Sequence, residues 1–79
     1  MKLTVEIGDY REPTTNKPCE VEVYCDQEGL SYLIKQLSKL KAKGDHVHFM
    51  TPAWGMEDLS EEKIIASNDL AHHLKITLV

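Results

Sequence analysis

One segment of this 79-residue chain has apolar residues at helical spacing, and it limits the possible folds more than any other feature. Asp26, which precedes it, suits a helix N-cap, because its side chain can accept a hydrogen bond from a free backbone N–H group. Lysines follow in the last turns, and Gly44 lies where a left-handed helix cap is usual. The sequence therefore predicts one amphipathic helix from about Gln27 to Lys43. Its apolar residues are Leu30, Leu33, Ile34, Leu37 and Leu40.

Four segments in which apolar and polar residues alternate surround this helix. Alternation with a period of two is typical of a strand that has one buried face and one wet face. Two of the segments precede the helix and two follow it, and each is a predicted strand. They are KLTVEI, EVEVYC, HVHFMT and HLKITLV.

The same alternation predicts which side chains are buried. In the first strand, Thr4 and Glu6 should face solvent. In the second strand, Val21, Val23 and Cys25 should face the core. The buried residues predicted for the other two strands are Val47, Phe49, Leu74, Ile76 and Leu78.

The predicted fold is α+β, with the element order ββαββ. The second and third strands are joined through the helix, so they should run in the same direction with a right-handed crossover. Adjacent parallel strands are usually apolar on both faces, and these are not, so another strand should lie between them. We therefore expect a small, mostly antiparallel four-stranded sheet with the amphipathic helix on one face, in a single domain that spans residues 1–79.

Residues 52–71 form the longest connection, which is too long to be structureless in so small a domain. Asp58 followed by Glu61 resembles a capping box and favours a helical turn near Leu59 to Ile64. An irregular edge strand at KIIAS is the alternative.

Composition and charge exclude several classes of function. Thirteen acidic and nine basic side chains give a formal charge of −4, which repels phosphate backbones and anionic membranes. Neither a nucleic acid nor a membrane is therefore expected as a partner. No segment is long and apolar enough to span a bilayer, and no secretory signal follows Met1. We expect a cytoplasmic protein, and the spacing of Cys19 and Cys25, too wide along a strand for a disulfide, agrees with a reducing compartment.

His46 and His48 share one face of the third strand, and His73 on the last strand can face the same way. Three imidazoles on one surface could hold zinc, nickel or copper. Carboxylate ligands at a fixed spacing and a Cys-x-x-Cys pair do not accompany them, so histidines that face solvent or a partner are the favoured interpretation. We predict no cofactor, and a metal site at these three histidines is the alternative.

A nucleophilic site could be assembled from Asp45, His46 and Cys25, since a thiolate needs a base and the base needs an orienting acid. Cys25, however, has the parity of Val21 and Val23, and a free cysteine in a core is an inert hydrophobe. The sequence also contains no phosphate-binding glycine motif. We therefore predict no catalytic residues and no enzyme.

The stretch TPAWG ends the third strand, because Pro52 cannot donate a ladder hydrogen bond and Gly55 permits a sharp turn. Trp54 can cover the end of the core, which we favour, or it can stand exposed as an aromatic anchor for a partner. Acidic residues follow it, and such a run is usually a solvated face, but beside a tryptophan and histidines it could recognise a basic partner. These acids are Glu57, Asp58, Glu61 and Glu62.

The helix, the third strand, the turn and the last strand together resemble a known family. The stretch GLSYLIKQLSKLKAKGDHVHFMTPAWG, followed by LSEE and HHLKITLV, is similar to the immunity protein 32 family of bacterial polymorphic toxin systems. The resemblance covers about the last two thirds of the chain, and its most specific element is the turn at Trp54 and Gly55.

The resemblance implies a small α+β protein, encoded beside a toxin gene, that binds and neutralises the cognate toxin as a stoichiometric inhibitor. The acidic chain would suit a basic toxin such as a nuclease. Under this interpretation the contact surface is the loop from Thr51 to Glu62 together with the sheet face around Tyr24, His46 and His48. The predicted partner-binding residues are Tyr24, His46, His48, Trp54, Glu57, Asp58, Glu61 and Glu62.

Two other functions are alternatives. One is a small metal- or ligand-binding module that uses the histidine face. The other is a scaffold protein whose outer sheet face packs against a second copy to form a homodimer.

Overall fold

A computed structural model describes residues 1–8, 13–17 and 20–79 of the chain. It contains five strands, one α-helix and one short 3-10 helix, so the α+β class predicted from the sequence is confirmed. Cys19 lies outside the described residues. In chain order the elements are β1 (Leu3–Ile7), β2 (Val21–Cys25), α1 (Gln27–Leu37), β3 (His46–Met50), the 3-10 helix (Pro52–Trp54), β4 (Asp69–Ala71) and β5 (His73–Thr77).

The strands form two antiparallel sheets instead of the single four-stranded sheet predicted from the sequence. The first sheet has the order β2-β1-β4, and the second pairs β3 with β5. The predicted order of two strands, a helix and two strands is kept, and the long connection adds β4. Only His72 separates β4 from β5, so the chain passes there directly from one sheet to the other.

The helix begins where the sequence predicts and ends earlier. Asp26 caps it by accepting a hydrogen bond from Gly29 N at 2.7 Å. The predicted end at Lys43 is wrong, because the helix stops at Leu37 and the next residues form turns. Asp45 takes part in these turns, since its Oδ2 accepts hydrogen bonds from the backbone N–H groups of Lys41 and Ala42 at 2.9 and 3.0 Å.

The core lies between α1 and the two sheets. Tyr32 of the helix packs edge-on against the fully buried Phe49 of β3, with 6.3 Å between the ring centroids. Apolar burial of this kind stabilises the fold by roughly 25 cal/mol per Å² removed from water. The fully buried apolar residues are Leu3, Val5, Phe49 and Leu59, and the partly buried residues around them are Tyr32, Leu33, Val47, Ala71, Leu74 and Ile76.

The central strand β1 is buried on both faces, which contradicts the prediction that Thr4 and Glu6 face solvent. Residues 60–68 cover the face that carries these two side chains. Ser60 N donates to Leu3 O at 2.8 Å, and the backbone N–H groups of Ile64 and Ile65 donate to the Glu6 carboxylate at 2.9 and 3.3 Å. The alternating pattern of β1 therefore marks two buried environments, one apolar and one polar.

The Glu6 carboxylate accepts two further hydrogen bonds, from Thr4 Oγ1 at 2.7 Å and from Asn68 Nδ2 at 3.0 Å. Burial acts to raise the pKa of Glu6, but the hydrogen bonds from Thr4, Ile64, Asn68 and Ile65 outweigh burial and hold the pKa below its ordinary value. The carboxylate is thus a buried ion that several donors stabilise in its charged form.

The edge strand β2 also differs from the prediction. Val21, Val23 and Cys25 are exposed, although the sequence places them in the core, and Cys25 is a free thiol. The physical reason is that β2 is the edge strand of its sheet and the core cluster, with the residues packed against it, does not extend over this strand. Leu78, predicted to be buried, is likewise exposed, because β5 ends one residue before it.

The connection from Pro52 to Ala71 contains only the 3-10 helix and β4, so neither a helical turn nor a strand forms at residues 59–66. The predicted capping box does not form either, since Asp58 accepts a hydrogen bond from Met50 N and not from a helix N-terminus. Among the described helices, none has the length and apolar character that crossing a bilayer requires.

We expect Glu6→Gln to lower the free energy of unfolding by about 2 kcal/mol or more, because an amide in this place cannot supply acceptors to all four donors and leaves buried N–H groups unpaired. Urea denaturation of the two proteins measures the difference. Glu57→Gln is the control, since Glu57 is exposed. A loss below about 0.5 kcal/mol, the range of ordinary surface substitutions, would contradict this role for Glu6.

Gly29→Ala should also destabilise the fold, although alanine favours a helix over glycine by about 1 kcal/mol. A Cβ atom at Gly29 would clash with the backbone oxygen of Lys2, so α1 and the chain before β1 would have to move apart. We expect a lower midpoint of thermal unfolding for this variant. Ser31→Ala, at an exposed position of the same helix, should leave the midpoint unchanged or raise it.

Candidate functional site

A rigid turn presents Trp54 at the end of β3. Trp54 N donates to Thr51 O at 2.9 Å and Gly55 N donates to Pro52 O at 3.0 Å, which closes the 3-10 helix. Gly55 has a φ of 96°, a left-handed conformation that glycine adopts without strain. The side chain of Trp54 is 59% exposed, so the interpretation in which it covers the core is wrong and its alternative, an exposed aromatic residue, is correct.

Two acidic side chains hold this turn from the following loop. Asp58 is buried, and its Oδ1 accepts a hydrogen bond from Met50 N at 2.9 Å. Glu61 Oε1 accepts one from Ala53 N at 2.8 Å. The turn is therefore fixed before any partner arrives, which reduces the entropy that binding would cost.

Asp58 also lies against the helix side of the core. The pKa of Tyr32 is raised by burial first and then by the negative charge of Asp58. Asp58 supports the turn from beneath, and its burial keeps most of its side chain away from any partner.

Thr51 connects the turn to the junction between β4 and β5. Its backbone N donates to His72 O at 3.0 Å, and its hydroxyl lies 2.6 Å from His72 Nδ1. Both bonds meet the single residue at which the chain changes sheets. The position of the turn is therefore coupled to the angle between the two sheets.

Three imidazoles and Trp54 form a continuous row on the outer face of β3 and β5, which we call the histidine–tryptophan surface. The rings of His46 and His48 meet edge to face with centroids 5.0 Å apart, and those of His48 and His73 stack at 5.0 Å. Trp54 follows His73, with 5.6 Å between centroids. The sequence predicts the shared face of these histidines, but not their contact with Trp54.

The pairing of β3 with β5 explains the row. His48 lies opposite Lys75 and Met50 lies opposite His73, so His48 and His73 are diagonal neighbours on one face. Their facing nitrogens, His48 Nδ1 and His73 Nε2, are 2.8 Å apart. One nitrogen must donate a proton and the other must accept it, so the acceptor ring is neutral.

The charge of this surface depends on pH. Partial burial lowers the pKa of His48 below its ordinary value, and the positive charges of His46, His73 and Lys75 lower it further. Lys75, which sequence reasoning missed as part of this site, stands two residues after His73 on the same alternating face, and that spacing is the signal that could have found it.

The alternative metal site at His46, His48 and His73 gains no support from the geometry. In the described part of the chain, no group of three His, Cys, Asp or Glu residues could hold a metal ion. The two nearest nitrogens are joined by a hydrogen bond and do not point to a common centre.

The remaining predicted contact residues lie in different places. Glu57 is exposed on the loop that follows the turn. Glu62 lines a cavity of about 100 Å³ beside Lys2, next to β1 and not beside the histidines. Tyr24 lies in β2, in the other sheet, where its hydroxyl donates to Glu22 Oε1 at 2.6 Å and the bond raises the pKa of Tyr24 to about 12. The structure therefore groups His46, His48 and Trp54 and separates Tyr24 and Glu62 from them.

Comparison with known families assigns the chain. The family model for immunity protein 32 matches residues 20–75, which is well over half of the chain. The chain belongs to the immunity protein 32 family. No curated protein and no solved structure matches it.

The part of the chain that matches the immunity protein 32 family contains β2, α1, β3, the turn and β4. All four residues of the histidine–tryptophan surface lie within it. The residues that assign the family therefore include the whole histidine–tryptophan surface. β1 precedes the matched residues and is the central strand of the first sheet.

The lowered pKa of His48 predicts how stability changes with pH. As the pH falls, His48 takes up a proton at a higher pH in the unfolded chain than in the folded one. The free energy of unfolding should therefore be greatest above the ordinary histidine pKa of 6.5 and should fall as the pH decreases below it. Denaturation curves across this range and an NMR titration of the His48 ring measure the effect. His48→Gln should reduce the slope, and a His48 ring that titrates above 6.5 would contradict the prediction.

Proposed function

We propose that this chain is a non-enzymatic immunity protein that neutralises a cognate bacterial toxin by binding it through the histidine–tryptophan surface. The observation that carries the proposal is an exposed tryptophan, held in a fixed turn, within a chain of the immunity protein 32 family. The toxin acts in the bacterial cytoplasm under this proposal, and the inhibitor is present in the same compartment.

Trp54 has the properties of an interface anchor. Tryptophan is enriched among the residues that contribute most to binding, because it offers a large apolar area with few rotatable bonds. Met56, also exposed, lies two residues further along the same turn. The histidine rings extend the surface with groups that can donate or accept hydrogen bonds.

The charge of the chain favours a basic toxin. The net charge is −4, and Glu57 and Glu61 are exposed close to the turn in sequence. Complementary fields of this kind speed the encounter of two proteins and disfavour wrong partners. A nuclease, whose active site must attract phosphate groups, is the toxin class that fits this charge best.

The positions of the possible nucleophile and base support binding in place of catalysis. Cys25 lies in β2 and His46 lies in β3, and these strands belong to different sheets. Asp45, which would orient the base, accepts hydrogen bonds from the Lys41 and Ala42 backbone. No hydrogen bond between described residues joins the three side chains into a catalytic relay.

Coexpression of this chain with the toxin encoded beside its gene tests the proposal. The wild-type chain should rescue growth and copurify with the toxin. Trp54→Ala should weaken binding by about 30-fold, equal to about 2 kcal/mol, because an anchor at the centre of an interface is lost. Calorimetry with the purified proteins measures the affinity.

Ile65→Ala provides the matched control, because Ile65 is also a large exposed apolar residue and its backbone is bonded to Glu6 of β1, in the other sheet from Trp54. It should bind the toxin like the wild type. Failure of the wild-type chain to rescue growth would refute the function, and equal binding by Trp54→Ala would refute the surface.

A further inference from the structure

The apolar cover of the first sheet stops between β1 and β2. Val5 and Val23 are directly opposite in the antiparallel pair and so lie on the same face, yet Val5 is 2% exposed and Val23 is 47% exposed. Val21 and Cys25 are exposed on the same side of β2. A row of apolar side chains therefore continues out of the core onto an open strand.

The helix adds to this open apolar area. Leu30 and Ile34 lie one helical turn apart on α1 and are both exposed. The core therefore leaves two further apolar side chains uncovered on the helix that follows β2. Contiguous apolar area on a soluble domain is a mark of an interaction site.

The backbone of β2 is also open on its outer side. Gly8 N donates to Glu20 O at 2.9 Å and Asp26 N donates to Lys2 O at 3.1 Å, so the even-numbered residues of this segment turn their backbone groups toward β1. The N–H and C=O groups of Val21, Val23 and Cys25 consequently point away from β1. No other strand in the described part of the chain pairs with that side of β2.

The opposite face of the β2 edge is acidic. Glu20 and Glu22 stand on that face, with Glu6 behind them on β1. A hydrogen bond with Glu22 and the negative charge of Glu22 raise the pKa of Glu20, its neighbour on the same strand face. Among residues whose placement is described, no lysine or arginine forms an ion pair with either one.

We propose that the outer edge of β2 receives an extended segment of the toxin in which basic and apolar residues alternate. This inference rests on the proposed function and adds a second contact, in the other sheet from Trp54. The incoming strand pairs with the backbone of Val21, Val23 and Cys25, places its apolar side chains on theirs, and directs its lysines or arginines toward Glu20 and Glu22. Strand addition of this kind takes its affinity from main-chain hydrogen bonds and its specificity from alternate side chains.

A second copy of the chain fits the edge less well than a basic segment does. Pairing of β2 with β2 of another copy would bring Glu20 and Glu22 of both copies onto the same face, and each copy already carries a net charge of −4. Like charges on adjacent strands destabilise a sheet. The charge of the edge therefore selects a partner strand of opposite sign.

A peptide of alternating valine and lysine residues is the probe for this edge, and a peptide with glutamate in place of lysine is its control. The chain of residues 1–79 should bind the first peptide and not the second, with NMR shift changes centred on β2. Val23→Pro should weaken binding by at least about tenfold, since it removes an outward N–H group without removing a bond to β1. Val23→Thr keeps that N–H group and should bind the peptide like the wild type.

Glu20→Lys is a second variant that does not depend on proline being tolerated, because Glu20 is exposed. It should abolish the preference for the lysine peptide, because the added lysine offsets the negative charge of Glu22 on the same face. Equal binding of both peptides by the wild type, or an unchanged preference in this variant, would overturn the proposal. Dimerisation through β2, detected by sedimentation and abolished by Val23→Pro, would also overturn it.

Binding of the toxin itself separates this inference from the proposed function. Val23→Pro should weaken toxin binding, and Val23→Thr should not. If Val23→Pro binds the toxin like the wild type while Trp54→Ala does not, the edge is refuted and the proposed function stands. If the wild-type chain fails to bind the toxin but retains the peptide preference, the proposed function is refuted and the edge remains a basic-strand site.

Discussion

The buried Glu6 carboxylate is the interaction on which the rest of the structure depends. It ties residues 64–68 to the central strand, and its cost of burial is offset by four hydrogen bonds, from a hydroxyl, two backbone N–H groups and an amide. Leu59 N and Ser60 N extend the same attachment to Met50 O and Leu3 O. Residues 56–68, which form neither helix nor strand, thereby become a fixed layer, and Asp58 and Glu61 within it hold the turn that carries Trp54.

This layer and the helix determine which faces of the two sheets remain exposed. The helix covers the apolar side of β1, and residues 60–68 cover its polar side, so the first sheet is open mainly along β2. The outer face of the second sheet carries the histidines, and His46 and Lys75 on it are exposed. Two surfaces of different chemistry, one aromatic and one a strand edge, therefore remain for a partner, and simultaneous contact with both would raise the effective affinity of each.

Local patterns in the sequence predict the local parts of this structure. The Asp26 cap, the alternation of β3 and the turn at Pro52 follow from short-range chemistry, and each is found. The burial of Glu6 could not be predicted, because the alternating pattern of β1 indicates that Thr4 and Glu6 face solvent. Its hydrogen-bond partner Asn68 is 62 residues away along the chain. The exposure of Val23 depends on which strand the helix covers, and alternation alone does not specify that. The turn itself is predictable, whereas the exposure of Trp54 and its contact with His73 follow from a pairing of β3 with β5 that no single segment determines.

Because only His72 lies between β4 and β5, the backbone at His72 sets the angle between the two sheets. Both proposed contact regions are borne on sheets that this one residue joins, and the Thr51 bonds to His72 lock the joint. A toxin that contacts both regions must match the angle between the two sheets as well as the contacting side chains. A substitution that alters the angle at His72 would therefore move the two regions relative to one another while leaving every contact residue in place.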